Sequence, residues 1–249
     1  MAAIDAVIFD LDDTLYPERE FAFSGFVAVA KAFVDRLGDP VESAAAMRRL
    51  FETEHRRRLF EALLESRGLA RDPVLIARMV EAYRSHIPTV RLHADADAAL
   101  TRLRPRYRLG LISDGRPIAQ WNKIDALGLR PRLDEIIVTS ELRTTDPGET
   151  GAHTPTGGAS APQETPPTDY AKPHPRAFEL MARRLNVKPA ACAYIADNPA
   201  KDFIAPNALG WLTVRIRRAD GIYRHQPAAP TGEAQRLITS LDGLEFVWA

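Results

Sequence analysis

Five short and nearly continuous apolar runs are the feature that most constrains how this chain can fold. They lie at residues 6–11, 107–113, 135–139, 191–196 and 211–216. A strand that is apolar on both faces needs cover on both faces, which is typical of parallel strands in an α/β protein. Segments with helical spacing, such as 118–127 and 175–185, lie between the later runs. This alternation predicts an α/β fold with a doubly wound parallel sheet.

The stretch from residue 18 to residue 100 contains no comparable apolar run. Its apolar residues follow helical spacing instead, at 21–37, 42–66 and 73–87. Gly and Asp-Pro pairs between these patterns supply the start and stop signals that helices need. We therefore expect an all-helical unit at 18–100, inserted into a core domain formed by residues 1–17 and 101–249.

A second unusual stretch lies within the predicted core, at residues 143–170. It is rich in Thr, Pro and Gly and has almost no large aliphatic residues. Such a composition cannot bury enough apolar surface to become ordered, so it predicts a flexible loop. Its charged residues are few, and it therefore does not indicate a nucleic-acid-binding arm.

Composition and charge narrow the class of protein. Apolar residues make up 45% of the chain and charged residues 27%, a balance typical of soluble globular proteins. The 33 basic residues equal the 33 acidic ones, so no overall charge favours nucleic acid or an anionic membrane. No window approaches the roughly 18 apolar residues of a membrane helix, and the first residues lack the pattern of a signal peptide. We expect a cytoplasmic protein that binds a small molecule, and its oligomeric state is left open.

Acidic residues crowd the end of the first predicted strand. In the run VIFDLDDTLYP, Asp10, Asp12 and Asp13 follow the apolar residues, at the edge where open α/β sheets place ligands. Carboxylates this close raise each other's pKa unless a hard cation neutralises them, and oxygen ligands suit Mg²⁺. A helix cap would need only one such residue. The pattern therefore predicts a magnesium site.

Two further segments place polar groups next to predicted strands or helices. In LGLISDG, Ser113 ends a strand and Asp114 begins a turn, which leaves a hydroxyl and backbone amides suited to a phosphate. In AKPHPRAFELM, Lys172 precedes two prolines and a predicted helix, so the prolines fix the direction of the chain there. Alone, the first segment is typical of a simple turn and the lysine of a solvated charge.

The run AYIADNPAKDF carries the last group of acids. Asp197 ends a predicted strand, Asn198 follows it, and Asp202 lies five residues further on. By themselves, Asp197 and Asn198 before Pro199 could form only a turn. Together with the acids after the first strand, they predict a second source of oxygen ligands at the same sheet edge.

The four segments together resemble the signatures of the haloacid dehalogenase-like hydrolase superfamily. Asp10, Asp12 and Thr14 match the family's first signature, which is Asp, any residue, Asp, any residue, Thr. The other three segments follow in the family's order, and the match extends over residues 4–17 and 101–217. One departure is Ala196, where the family usually has Gly. The resemblance implies a Rossmann-like core and a helical cap in the position of residues 18–100.

The resemblance also implies catalytic roles. Asp10 would attack phosphorus to form an aspartyl-phosphate and would bind Mg²⁺. Asp12 would protonate the leaving oxygen, later activate water and offer its backbone carbonyl to the metal. Ser113 and the amide of Asp114 would bind the phosphate, while Lys172 would stabilise both the nucleophile and the transferring phosphoryl group.

Further residues would support this site. The resemblance implies that Asp197 completes the magnesium ligands and that Asp202 orients Lys172 or supports the metal ligands from behind. Thr14 and Asn198 would be supporting polar neighbours. The expected cofactor is therefore Mg²⁺, held by Asp10, Asp12 and Asp197.

The function implied is a magnesium-dependent phosphomonoesterase acting on a small phosphorylated metabolite. A sugar-phosphate mutase of the same fold shares all four signatures and remains an alternative. A dehalogenase does not rely on a second acid two residues after the nucleophile, so Asp12 argues against that activity. A non-catalytic binding protein is disfavoured because every catalytic position is filled. A sugar phosphate, a nucleoside monophosphate and a phosphorylated acid all remain open as substrates.

Overall fold

The structure of this chain of 249 residues is a computed structural model that describes residues 3–53, 58–143 and 170–247. The chain divides into two compact units. The α/β unit comprises Met1–Tyr16, His93–Pro117 and Arg130–Ala249, and the helical unit comprises Pro17–Leu92 and Ile118–Leu129. Within the described ranges, no helix is long and apolar enough to cross a membrane.

Six strands form one sheet in the α/β unit. They are β1 (Ala6–Phe9), β2 (Arg108–Ser113), β3 (Glu135–Val138), β4 (Cys192–Ala196), β5 (Leu212–Ile216) and β6 (Arg236–Ile238). Their order is β3-β2-β1-β4-β5-β6, and every pairing is parallel. After β1 the chain forms β2 and β3 on one side of β1 within the sheet, and it then crosses to form β4 on the other side of β1. The carboxyl end of β1 is therefore a topological switch point, where such sheets bind ligands.

The predicted α/β fold with its parallel sheet is confirmed. All five predicted strands are present, with ends that differ by at most two residues. The first strand ends at Phe9 rather than at residue 11, and Asp13 has a φ of 52° where the chain turns away. The sixth strand was missed because β6 is three residues long and lacks an apolar pattern.

The described residues contain nine α-helices. They are α1 (Glu18–Ala32), α2 (Val34–Leu37), α3 (Pro40–Glu52), α4 (Leu59–Ser66), α5 (Pro73–Ser85), α6 (Ala94–Leu103), α7 (Pro117–Ala126), α8 (Arg176–Arg184) and α9 (Ile204–Ala208). The first five belong to the helical unit, and α6, α8 and α9 belong to the α/β unit.

The core of the α/β unit holds α8 closely against the sheet. Phe178 of α8 packs edge-on against Tyr194 and Trp211, with ring centroids 5.0 and 5.5 Å apart. Gly110 of β2 allows the helix to approach, because a Cβ added there would lie 2.7 Å from the sulfur of Met181. This packing fixes the start of α8, and the chain segment that carries Lys172 leads directly into it.

The helical unit has its own apolar core. Phe26, Met47, Leu63 and Met79, from four different helices, are almost fully buried in it. Asp39 and Asp72 each precede a proline and accept hydrogen bonds from two backbone amides, so they cap α3 and α5.

The described part of the predicted insert at 18–100 consists up to Ser85 of helices joined by short connections, and two of the predicted helices are each divided into two. The pattern at 21–37 forms α1 and α2, and the pattern at 42–66 forms α3 and α4. Residues 94–103 form α6, which belongs to the α/β unit. The predicted domain boundaries and the role of the insert as a cap stay predictions. The predicted loop at 143–170 lies outside the described residues except for its two end residues.

A buried ion pair links distant parts of the α/β unit. Arg218 donates to Asp95 Oδ2 at 2.6 Å and to the carbonyl of Thr14 at 2.9 Å. Asp95 also accepts from the amide of Leu241 at 2.8 Å. Burial would raise the pKa of Asp95, but the hydrogen bonds from Arg218 and Leu241 hold it below its ordinary value. The pair therefore braces the loop that follows β1.

We expect Arg218→Met to lower the free energy of unfolding by about 3 kcal/mol, because it leaves the largely buried Asp95 carboxylate without a positively charged partner. The matched control is Arg184→Met, which removes a more exposed pair with Glu135 at 2.9 Å and should cost less than about 1 kcal/mol. Urea unfolding of both variants measures the difference. Equal losses for the two variants would contradict the bracing role.

Candidate active site

The carboxyl ends of three neighbouring strands form the candidate site. Asp10 directly follows β1, Ser113 ends β2, and Asp197 directly follows β4. The amide of Asp10 donates to the carbonyl of Ile195 at 2.9 Å, so the pairing of β1 with β4 continues up to Asp10 itself. The sheet therefore brings side chains from distant parts of the sequence to one edge.

Lys172 is buried at the centre of this site. Its Nζ atom donates to Asp10 Oδ1 at 2.5 Å and to the hydroxyl of Tyr194 at 3.0 Å, and it lies 2.9 Å from Asp202 Oδ1. Only 1% of its side chain is exposed. Burial would lower the pKa of Lys172, but the charges of Asp10 and Asp202 raise it well above its ordinary value. The side chain is thus a buried ammonium ion at neutral pH.

The segment that carries Lys172 is held at both ends. The amide of Lys172 donates to Asp114 Oδ1 at 3.1 Å. The bond between Lys172 and Pro173 is cis. His174 accepts a hydrogen bond from the amide of Arg176 at 3.1 Å, which places His174 next to the first residue of α8.

Three buried carboxylates form a cluster next to this ammonium. Asp10, Asp197 and Asp202 each offer one oxygen, and these oxygens lie within 4.8 Å of one another. Burial raises the pKa of Asp10 to about 7, although the charge of Lys172 acts in the opposite direction. Burial, together with the charges of Asp10 and Asp202, raises the pKa of Asp197 well above its ordinary value.

This oxygen cluster fits a hard divalent cation. Asp197 Oδ2 is buried and has no hydrogen-bond partner among the described residues. A buried oxygen without a donor is costly unless something else satisfies it. Oxygen ligands with surplus negative charge are the set that Mg²⁺ prefers.

Asp12 lies outside the three-carboxylate cluster. It is half-buried, and its Oδ1 atom accepts a short hydrogen bond from the hydroxyl of the buried Tyr16. Its predicted metal contact is a backbone carbonyl, which stays a prediction. Thr14 is fully buried, and its carbonyl accepts from Arg218.

The turn after β4 is built by its own polar residues. The amide of Asn198 donates to Asp202 Oδ2 at 3.0 Å, and Asn198 Oδ1 accepts from the amide of Ala200 at 3.0 Å. Asn198 therefore shapes the turn, and Asp202 uses its second oxygen to hold it. This leaves Asp202 Oδ1 facing Lys172.

The turn after β2 contains the predicted phosphate-binding pair. Ser113 is 1% exposed. The carboxylate of Asp114 accepts from Thr139 Oγ1 at 2.9 Å and from Lys201 Nζ at 2.5 Å, besides the amide of Lys172. The side chain of Asp114 thus forms hydrogen bonds within the protein. The phosphate-binding role predicted for Asp114 involves only its backbone amide.

Sequence reasoning missed three residues of this site. Tyr194 lies within an apolar strand, where only its hydroxyl marked it as polar. Thr139 and Lys201 donate hydrogen bonds to Asp114, although they lie 25 and 87 residues away from it in the sequence. Lys201 lies between Asp197 and Asp202 in the last signature, and this position was the one available signal for it.

A model of the haloacid dehalogenase-like hydrolase family matches residues 4–210. The chain belongs to this family. The site described above thus lies in the core of an HAD-like hydrolase, within the segment that the family model covers.

The curated relatives that the chain matches over most of its length are phosphatases. A glyceraldehyde 3-phosphate phosphatase of Methanopyrus kandleri is 29% identical, over 86% of this chain and 84% of the relative. A phosphoserine phosphatase of Thermus thermophilus is 26% identical, over 70% of this chain and 58% of the relative. The chain is accordingly an HAD phosphatase.

Solved structures agree with the fold. The structure of an HAD hydrolase of Bacillus subtilis, bound to magnesium, matches with a TM-score of 0.63. The match covers 99% of each chain at 17% identity. At this identity the likeness shows the shared HAD fold.

The excess negative charge of the cluster predicts an unusual pH dependence. A carboxyl whose pKa is raised by folding binds its proton more tightly in the folded state, so folding stability falls as pH rises above the ordinary value. In metal-free buffer at pH 8, Asp197→Asn should therefore be more stable than the unaltered protein. The difference should disappear as pH falls toward about 4.

Urea unfolding in EDTA across this pH range measures the effect. Asp35→Asn, which removes an exposed acid of the helical unit, provides a control and should not reproduce the gain in stability at pH 8. A loss of stability in Asp197→Asn at pH 8 would show that the cluster carries no surplus charge.

Proposed function

We propose that this HAD phosphatase is a magnesium-dependent phosphomonoesterase that acts on a small phosphorylated metabolite through an aspartyl-phosphate on Asp10. The main support for the proposal is the buried contact between Lys172 and Asp10, which is one of the three clustered carboxylates. A nucleophilic carboxylate must be ionised at neutral pH, and the adjacent ammonium favours the ionised form of Asp10. The names of the curated phosphatase relatives support the same reaction class.

In the first step, Asp10 attacks phosphorus and the bond from phosphorus to the ester oxygen breaks. Asp12 gives a proton to the leaving oxygen, and the hydrogen bond from Tyr16 holds the Asp12 carboxyl in one orientation. Lys172 stabilises negative charge on the phosphoryl oxygens. The Ser113 hydroxyl and the amide of Asp114 would hold the phosphate while this charge develops.

In the second step, the Asp12 carboxylate takes a proton from water, and the water oxygen attacks the phosphorus of the aspartyl-phosphate. The bond between phosphorus and the Asp10 oxygen breaks, so phosphate leaves and the Asp10 carboxylate is restored. Asp12 thus acts first as an acid and then as a base, and it returns to its protonated state.

Asp10, Asp197 and the carbonyl of Asp12 would hold Mg²⁺, and Asp202 would support them from behind. A bound Mg²⁺ supplies charge neutralisation for the transferring phosphoryl group and lowers the pKa of the carboxylates that hold it. Two observations support this assignment: Asp197 Oδ2 has no hydrogen-bond partner within the described part of the chain, and the pKa of Asp10 is raised. The related Bacillus subtilis hydrolase was solved with magnesium bound, which supports the choice of metal.

We expect the purified protein to release phosphate from p-nitrophenyl phosphate when Mg²⁺ is present and to stop when EDTA removes it. Asp10→Asn should lower kcat by at least about a thousandfold, because it removes the nucleophile. Asp35→Asn is the matched control and should retain full activity, since Asp35 is exposed in the helical unit. Unchanged turnover in Asp10→Asn would overturn the proposed mechanism.

A panel of phosphorylated metabolites identifies the substrate class. Glyceraldehyde 3-phosphate and phosphoserine, from the names of the relatives, are tested first, followed by sugar phosphates and nucleoside monophosphates. We expect free phosphate as the product. An isomeric sugar phosphate without phosphate release would identify a mutase instead.

A further inference from the structure

An ion pair between Lys201 and Asp114 lies at the edge of the site, and the reaction proposed above uses neither side chain. We propose that Lys201 is a positioning residue, which acts through the Asp114 carboxylate to hold the backbone of Lys172 in place. This inference rests on the proposed function, since it assigns a role within that reaction. Lys201, Asp114 and Lys172 all lie in the α/β unit.

The Asp114 carboxylate gathers three donors from three separate segments. Its Oδ1 atom accepts from the amide of Lys172 at 3.1 Å and from Thr139 Oγ1 at 2.9 Å. Its Oδ2 atom accepts from Lys201 Nζ at 2.5 Å. Asp114 itself follows β2, so one side chain ties the turn after β2 to the end of β3, to the Lys172 segment and to the turn after β4.

Lys201 fixes the orientation of this carboxylate. Burial would raise the pKa of Asp114, but the charges of Lys172 and Lys201 hold it below its ordinary value. Asp114 is therefore ionised, and its charge-assisted bond to Lys201 is the strongest of the three. With Lys201 holding Oδ2, the other oxygen is directed at the Lys172 amide and at Thr139.

The position of the Lys172 backbone decides where its ammonium lies. Nζ must stay within hydrogen-bond distance of Asp10, Asp202 and Tyr194 together, and each of these partners is fixed by β1, by β4 or by the turn after β4. A shift of about 1 Å at a catalytic group can cost up to about a hundredfold in rate. Loosening the Asp114 tie should therefore lower kcat, while it removes neither the Ser113 hydroxyl nor the Asp114 amide that would hold the phosphate.

A direct contact between Lys201 and the substrate is the competing explanation. The Lys201 side chain is 35% exposed, and a second cation near a phosphate would strengthen substrate binding. The two explanations differ in KM and in their dependence on Asp114. A positioning residue changes kcat and loses its effect when Asp114 is altered, whereas a binding residue changes KM and keeps its effect.

A double-mutant cycle with p-nitrophenyl phosphate and Mg²⁺ separates them. We expect Lys201→Met to lower kcat about tenfold with KM changed less than about twofold. In the Asp114→Asn variant, adding Lys201→Met should lower kcat by less than about a further twofold. Lys201→Arg keeps the charge and should recover most of the activity. Lys188→Met, which removes an exposed lysine of the same unit, is the control and should match the unaltered enzyme.

Hydrogen exchange of the Lys172 amide, followed by NMR, gives a readout that needs no activity. The amide should exchange faster in Lys201→Met and at the normal rate in Lys188→Met, because only the first variant releases Asp114. The positioning role would be overturned if the two substitutions had additive effects on activity and Lys201→Met raised KM. It would also be overturned if the Lys172 amide exchanged at an unchanged rate in Lys201→Met. If the unaltered protein shows no turnover at all, the proposed function fails, and the exchange measurement still tests the tie.

Discussion

The buried contact between Lys172 and Asp10 is the interaction on which the rest of the site depends. Removing an ammonium and its neighbouring carboxylates from water costs several kcal/mol per ion, so each charge needs well-placed partners. Asp202 and Tyr194 supply them for Lys172. The three acids of the cluster outnumber the Lys172 ammonium, and Asp197 Oδ2 has no hydrogen-bond donor among the residues that the structure describes. This imbalance supports the proposal that the site binds a divalent cation.

The fold produces this arrangement with few elements. Because β2, β1 and β4 are parallel neighbours, Ser113, Asp10 and Asp197 reach the same edge of the sheet. Lys172 comes from a connection rather than a strand, and it needs anchors of its own. The packing of α8 holds the chain after it, and Asp114 holds its backbone amide. The geometry of the proposed active site therefore depends on a connecting segment that side chains from several turns hold in place.

The features that could be predicted from the sequence were those that local patterns of residues encode. Apolar runs gave the five main strands, and acids at their ends pointed to the edge where the charged groups meet. The pairings of Lys172 with Asp10 and Asp202 were expected only from the family resemblance, because no local pattern records contacts between distant segments. The contact of Lys201 with Asp114, which spans 87 residues, was missed. Tyr194 was missed because a tyrosine in an apolar strand fits the pattern of a buried residue, and the sequence does not show the hydrogen-bond partner of its hydroxyl. The break between α1 and α2 at Phe33 was also missed, because the apolar spacing continues through it.

The proposed mechanism requires a covalent bond between Asp10 and phosphorus, and this bond can be trapped chemically. The enzyme is mixed with substrate and Mg²⁺, quenched in acid during turnover and treated with borohydride, which reduces an acyl phosphate to an alcohol. Peptide mapping by mass spectrometry should then find homoserine at position 10 and unmodified aspartate at Asp12 and Asp197. Phosphate release without any modification at Asp10, or a phosphoryl group trapped on another residue, would contradict the account.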